Sequence, residues 1–263
     1  MIKKMIDKST ARARRGQTSL QEDGLFATFS DQKLFDLIND ADAQKRTSAA
    51  KLLGVRKNKN AVPLLCERLK IETALYTRIA ISEALGAIGE PAIAELIGLL
   101  GKLGNNQHYE LPQKGFYKKS YPLPRDIVAR TIVKIGCPAL MPLEQVVLDA
   151  DRASIREAID AIGQIAFHEG NLSSEKVLLT AYQKYYLDPV IRWKIVRAFQ
   201  AFPTEKVRAL LETIICSRLS PELRWEAIRS LGQHGRKASA KIMAYAQNDV
   251  HEEVRAMARL FLK

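Results

Sequence analysis

The chain has 263 residues, 47% of them hydrophobic and 27% charged, and 41 Lys and Arg against 29 Asp and Glu leave a formal net charge of +12. That balance points to an acidic partner, whether nucleic acid, an acidic protein surface or an anionic membrane, and decides nothing about fold. Three scattered cysteines (Cys66, Cys137, Cys216), with no Cys-x-x-Cys spacing and no histidine at ligand distance, argue against a disulfide framework or a zinc site, and no run approaches the ~18 apolar residues of a membrane span.

Residues 1–24 carry Lys3, Lys4, Lys8, Arg12, Arg14 and Arg15 against Asp7, Glu22 and Asp23. With too few apolar residues for a packed helix, they read as a basic flexible tail. The start MIKKMIDK has no apolar core of the signal-peptide kind, so the expected location is the cytoplasm.

From residue 25 to 263 the chain repeats itself. The stretch Thr73 to Gly89, TALYTRIAISEALGAIG, pairs Arg78 with Gly86; Arg46 with Gly54, Arg192 with Gln200 and Arg224 with Gly232 echo it, Arg125 opens RDIVARTIVKIG, and Arg255 follows near the end. In SIREAIDAIGQIA, aligning Gly163 with Gly86 puts Ile155 in the arginine's place and Arg156 one step later. The seven copies are separated by 32, 47, 30, 37, 32 and 31 residues, the period of a two-helix repeat. In the second copy Ile81, Ser82, Leu85 and Ile88 fall three, four, seven and ten residues after the arginine, one buried stripe of a helix. Another apolar helix precedes each, as in Ala61 to Leu69 and Pro91 to Leu100, where Pro63 and Pro91 suit a first turn.

The third copy is interrupted by an inserted loop at 102–124, KLGNNQHYELPQKGFYKKSYPLP, where Pro112, Pro122 and Pro124 forbid a continuous helix. Long loops of this composition are functional or disordered, and the aromatics favour order. The functional expectation is a binding lobe, with Lys114, Lys118 and Lys119 supplying charge and Tyr109, Phe116 and Tyr117 supplying stacking area. The plainer one is a loop packed on its own repeat.

The pattern Pro-x-x-x-x-Leu, a short turn, then Arg-x-x-Ala-x-x-Ala-Leu-Gly-x-Ile-Gly, which Arg78 to Gly89 matches closely, resembles the HEAT-like repeat of the phycobilisome-lyase type over roughly residues 31 to 263. The resemblance implies an all-α fold, a right-handed α-solenoid of about seven helix pairs whose second helices line the concave side. It also implies a ladder between stacked repeats, built from a turn acid and the arginine of the next helix start. The six-residue spacings Asp40 to Arg46, Glu72 to Arg78 and Asp249 to Arg255 supply such members, whereas Asp149 faces Ile155 and leaves that rung to Arg156.

Side chains one and five residues after the repeat arginine share a helix face off the buried stripe. In order they are Thr47 and Lys51, Ile79 and Glu83, Asp126 and Arg130, Arg156 and Asp160, Trp193 and Arg197, Trp225 and Arg229. This face turns basic and aromatic toward the C-terminus, which makes Arg130, Arg156, Trp193, Arg197, Trp225 and Arg229 candidate binding residues, with guanidinium stacked on indole at i, i+4. The competing expectation is that both tryptophans pack between adjacent second helices. No Gly-rich phosphate loop, metal-ligand spacing or nucleophile elbow is present, so no catalytic residue, cofactor or metal is assigned. The leading expectation is a non-catalytic scaffold holding an acidic protein or peptide on its concave face. The first alternative is a nucleic-acid-binding HEAT-like protein of the DNA glycosylase kind, with Asp160 the carboxylate among arginines. The second is a bilin-lyase-like subunit, for which no residue marks a tetrapyrrole site.

Overall fold

A computed structural model describes residues 10–262, and the backbone alone at 236–239. Residues 1–9 of the expected tail lie outside the described residues. Every regular element among the described residues is helical, and the α-helices from Asp31 onward form seven pairs. They are α1 (Asp31–Leu37) with α2 (Ala43–Val55), α3 (Val62–Ile71) with α4 (Leu75–Ile88), α5 (Ile93–Leu99) with α6 (Ile127–Ile135), and α7 (Leu140–Asp149) with α8 (Arg152–Glu169). The series continues with α9 (Glu175–Lys184) and α10 (Pro189–Ala198), α11 (Glu205–Ile215) and α12 (Pro221–Gly232), α13 (Arg236–Ala246) and α14 (Glu252–Leu262). Local chemistry sets the starts. Asp42, Asp151 and Asp188 accept the orphan N–H groups of α2, α8 and α10. Gly170, at φ +68°, ends α8 in the left-handed conformation.

The chain divides into two compact units, one of residues up to Leu99 together with Arg130–Ile135, the other of Leu100–Ala129 together with Gly136–Lys263. In the first, α2 packs along α4 and α1, and α3 packs on α4 and α5. A Cβ on Gly54 would stand 2.7 Å from the Ala84 Cα, so the repeat glycine is what lets these two second helices touch backbone to backbone. The Arg46 guanidinium grips the carboxylate of Glu72 through Nε and Nη2 at 2.8 and 3.0 Å, and its Nη1 donates to the Asp40 and Ala41 carbonyls. Glu72 also accepts from Arg68 Nε and from the Thr73 and Ala74 N–H groups that open α4. One carboxylate therefore fixes the turn before α4 and ties two pairs together.

Over residues 15–24 the expected tail is a docked segment. Arg15 O accepts from the Tyr76 N–H, Lys51 Nζ donates to Thr18 Oγ1 and Asp23 Oδ2, Ser48 Oγ donates to Asp23 Oδ1, and Ser19 with Glu22 caps a short helix over Leu20–Gly24. Glu22 and Asp23, two of the three acids that dilute the tail's positive charge, are among the residues that fasten it.

In the second unit the second helices α8, α10, α12 and α14 pack in succession, with α7 beside α9 and α11 beside α13 on their other side. The same ladder recurs: Arg156 Nη2 lies 3.2 Å from Asp188, and Arg224 holds Asp249 through Nε and Nη2 at 2.9 and 2.8 Å. Arg255 Nη1 donates to the Asp249 and Val250 carbonyls, as Arg46 does to those of Asp40 and Ala41. The expected ladder is thus displaced by one repeat. Arg46, Arg224 and Arg255 take the backbone of the turn before them, and Arg46, Arg156 and Arg224 take the acid of the turn after them. Arg156 does take the place left by Ile155.

Burial alone would raise the Glu72 carboxyl, but the hydrogen bonds from Arg46, Arg68 and the Ala74 N–H outweigh it and hold the group at about 2. Its stabilisation is therefore complete above the ordinary value of 4.5 and drains away as pH falls toward about 2. Glu72→Gln, which takes the carboxylate from the buried Arg46 and the half-buried Arg68, is expected to cost about 3 kcal/mol at neutral pH. Urea unfolding should show the gap to the parent narrowing as the pH is lowered through that window.

Candidate binding site

The insertion starts at Gly101, where a Cβ would stand 2.7 Å from the Ala153 carbonyl and φ is +73°. Gln107 Nε2 then donates to Leu103 O and to Asp126 Oδ2, while Asp126 Oδ1 accepts the Ala129 N–H, so the loop's two ends are pinned at the start of α6. Between these points it crosses all four second helices of its unit. Tyr121 seats against Gly163 of α8, His108 meets Trp193 of α10 edge-to-face at 5.0 Å, Phe116 lies 5.5 Å from the Arg229 guanidinium of α12, and the Gly115 N–H and Tyr117 hydroxyl donate to Glu253 of α14.

Beneath the loop, the positions two and five residues after the repeat arginine carry charge on three successive helices. Lys194 Nζ, fully buried, donates to Glu157 and Asp160 at 2.8 Å each; Arg229 Nε donates to Glu226 at 2.7 Å; Arg197 stacks on the Trp193 ring at 3.7 Å with its Nε 3.8 Å from Glu226. Three acids face three bases, and their formal charges cancel. The pairing is incomplete atom by atom: Glu157 Oε2, Asp160 Oδ1, both Nη atoms of Arg229, Tyr121 Oη and His108 Nδ1 are buried without a hydrogen-bond partner among the described residues. Each such group costs on the order of 1–3 kcal/mol, and a concentration of them marks a place where packing is subordinate to another demand.

Burial, helped by the Asp160 carboxylate and opposed by Lys194, pushes Glu157 up to about 7. Burial also works against an ionised Asp160, but Lys194 and Arg197 outweigh it and keep that carboxyl below its ordinary value. His108 is driven down to about 3, first by burial and then by the charges of Arg197 and Lys194, so it is neutral at physiological pH.

Between the loop, α10 and α12 lies a cavity of about 460 Å³, lined by His108, Lys114, Phe116, Lys118, Tyr121, Arg125, Arg197 and Trp225 among others, and by no carboxylate. This arrangement corrects the expected open groove. Trp193 is 0% exposed and Trp225 1%, their rings 6.4 Å apart and edge-to-face, and Arg197 and Arg229 are buried with them, because the insertion lies on the face that would otherwise be solvated. Arg156 is half-buried and engaged by Asp188, and Arg130 belongs to the first unit. Of the loop residues, Tyr109, Lys114, Tyr117, Lys118 and Lys119 are exposed and Phe116 is half-buried. Asp160, the carboxylate of the glycosylase alternative, is locked in the buried ion pair with Lys194. Sequence reasoning missed Glu157, Lys194, Glu226 and His108. The available signal was the recurrence of charge two and five residues after the arginine in three consecutive copies.

A sequence profile of HEAT repeats matches residues 32–106 and 176–263. The chain belongs to the HEAT-repeat family. Its helix pairs are accordingly those of an all-α solenoid. Among solved structures, it is similar to a designed armadillo repeat protein in complex with a (KR)4 peptide (18% identity, 88% of this chain and 97% of that one, TM-score 0.39). It is also similar to YibA of E. coli (16% identity, 93% and 87%, TM-score 0.41) and to human deoxyhypusine hydroxylase in complex with glycerol (17% identity, 98% and 95%, TM-score 0.39). Comparison with curated proteins gives no match.

Two outcomes follow for this HEAT-repeat protein. A Cβ on Gly163 would meet the Tyr121 hydroxyl and, at 2.9 Å, the Ala198 Cβ, so Gly163→Ala should destabilise by roughly 1–3 kcal/mol, and adding Tyr121→Phe should return part of the loss in a double-mutant cycle. Because Glu157 binds its proton more tightly in the folded chain, its contribution is full below 4.5 and is lost as pH rises to about 7. Thermal midpoints at about pH 5 and about pH 7.5 should differ less in Glu157→Gln than in the parent.

Proposed function

We propose that this HEAT-repeat protein is a non-catalytic scaffold that holds an acidic protein or peptide against the loop-bearing side of its second unit. The observation that carries this reading is the ordered loop itself. It is held at Asp126 and at Glu253, and it presents Tyr109, at 55% exposure, and Tyr117, at 41%, together with Lys114, Lys118 and Lys119. A surface fixed before its partner arrives loses little conformational freedom on binding. Clustered lysines attract carboxylates over a Debye length, and exposed tyrosines supply contact area at low entropic cost. The partner therefore lies over the loop, and the tryptophans support that surface from within. The same cations would attract phosphates, while Asp160, the carboxylate of the glycosylase alternative, is buried in its pairing with Lys194.

Reversing the loop's charge with Lys114→Glu, Lys118→Glu and Lys119→Glu should weaken binding of a labelled Glu- and Asp-rich peptide by about tenfold or more and flatten its salt dependence, at unchanged helix content. Anisotropy titrations across a salt series, with single-stranded DNA of equal charge as the comparison, check this. Unchanged peptide affinity, or DNA bound more tightly than the peptide, would sink the scaffold reading.

A further inference from the structure

The cavity beneath the loop has a chemistry of its own, although Lys114 and Lys118 also face the outer surface. At about 460 Å³ it falls in the range of small-molecule sites. Its cationic wall consists of Lys114, Lys118, Arg125 and Arg197, and no carboxylate lines it. Arg197 is itself 6% exposed and held flat on the Trp193 ring, with the nearest carboxylate oxygen of Glu226 3.8 Å from its Nε, too long for a hydrogen bond. The remaining wall is aromatic: the half-buried Phe116 from the loop offers ring surface, and Trp225 of α12, 1% exposed, only borders the space. Two groups on the lining are buried with polar atoms unpartnered among the described residues, the Tyr121 hydroxyl and Nδ1 of the neutral His108.

Three cations, Lys114, Lys118 and Arg125, with no acid on the lining, and Arg197 facing the space from its longer pairing with Glu226, select for more than one negative charge, and a phosphate monoester carries close to two near neutral pH, with oxygens that suit guanidinium and ammonium donors. The aromatic wall selects for a planar unsaturated body on the same molecule. The loop, tied to Asp126 at one end and to Glu253 along its course, roofs the space, which favours one small molecule over a polymer threaded through it. We propose that the second unit binds a small aromatic phosphate monoester, of mononucleotide size, in the cavity between the insertion and helices α10 and α12.

The test uses the full chain and isothermal titration calorimetry with adenosine 5′-monophosphate and phenyl phosphate as probes. The expected result is saturable binding of at least one of them at one site per chain, with adenosine and inorganic phosphate each weaker by about tenfold or more. Arg197→Gln and Lys118→Ala should each weaken the bound probe by about fivefold. Lys118 is exposed, so its variant keeps the test decisive even if the buried substitution disturbs folding. Four results would overturn the proposal: no saturable binding of either probe, inorganic phosphate binding as tightly as both, affinities unchanged in Lys118→Ala and in folded Arg197→Gln, or a short single-stranded oligonucleotide binding more tightly than the mononucleotide.

Discussion

An arginine at the start of a second helix, reaching forward to the carboxylate of the following turn, is the interaction on which the stacking of these helix pairs depends. Arg46 with Glu72 and Arg224 with Asp249 are bidentate, and Arg156 with Asp188 is a single contact at 3.2 Å. A planar guanidinium can hold a carboxylate in front and two carbonyls behind in one geometry, which an ammonium cannot. The turn acid serves twice, since Glu72 also accepts the Ala74 N–H of the turn before α4 and Asp188 caps α10. Helix start, turn conformation and repeat spacing are therefore fixed by the same few atoms.

The insertion changes what the second helices of its unit can carry. On an open face, charged residues two and five places after the repeat arginine would be solvated and worth little. Under the loop they are buried, so Lys194 needs both Glu157 and Asp160, and Arg197 and Arg229 share Glu226. Such a ladder is costly to assemble and costlier to break singly, because each removal strands its partner in a poorly polarisable interior. The loop and the buried charges are thus mutually dependent: the loop makes the interior dry, and the interior supplies the helix faces on which Tyr121, His108 and Phe116 rest.

This arrangement separates the positive charge of the second unit into two kinds. Beneath the loop the six charges cancel, while Lys114, Lys118 and Lys119 sit on the loop's exposed side. An acidic partner over the loop and a small anion inside the cavity would meet overlapping sets of cations, since Lys114 and Lys118 belong to both surfaces. Occupation of one would alter the field felt at the other.

Periodicity in one dimension was enough to show the family. The recurrence of Arg with Gly eight places on, the four-position stripe and the prolines of the first turns specify helix pairs, because helical repeats bury a local pattern against a neighbour of the same pattern. The role of the repeat glycine as a contact point, as at Gly54 against Ala84, follows from the same regularity. The break at residues 102–124 was equally legible, since three prolines cannot continue a helix. Where that loop goes was not, and it reversed the reading of the face it covers: Trp193, Arg197, Trp225 and Arg229 have the composition of an exposed binding groove and the environment of a core. Likewise, residues 15–24 have the composition of a solvated arm and the contacts of a docked strap. Exposure is a property of what lies opposite a side chain, and here what lies opposite comes from chain segments outside the repeat pattern. The sequence by itself determined the helices and their pairing, through contacts between near neighbours; the tertiary structure alone decided which faces those pairs leave open, because that depends on long-range closure over them.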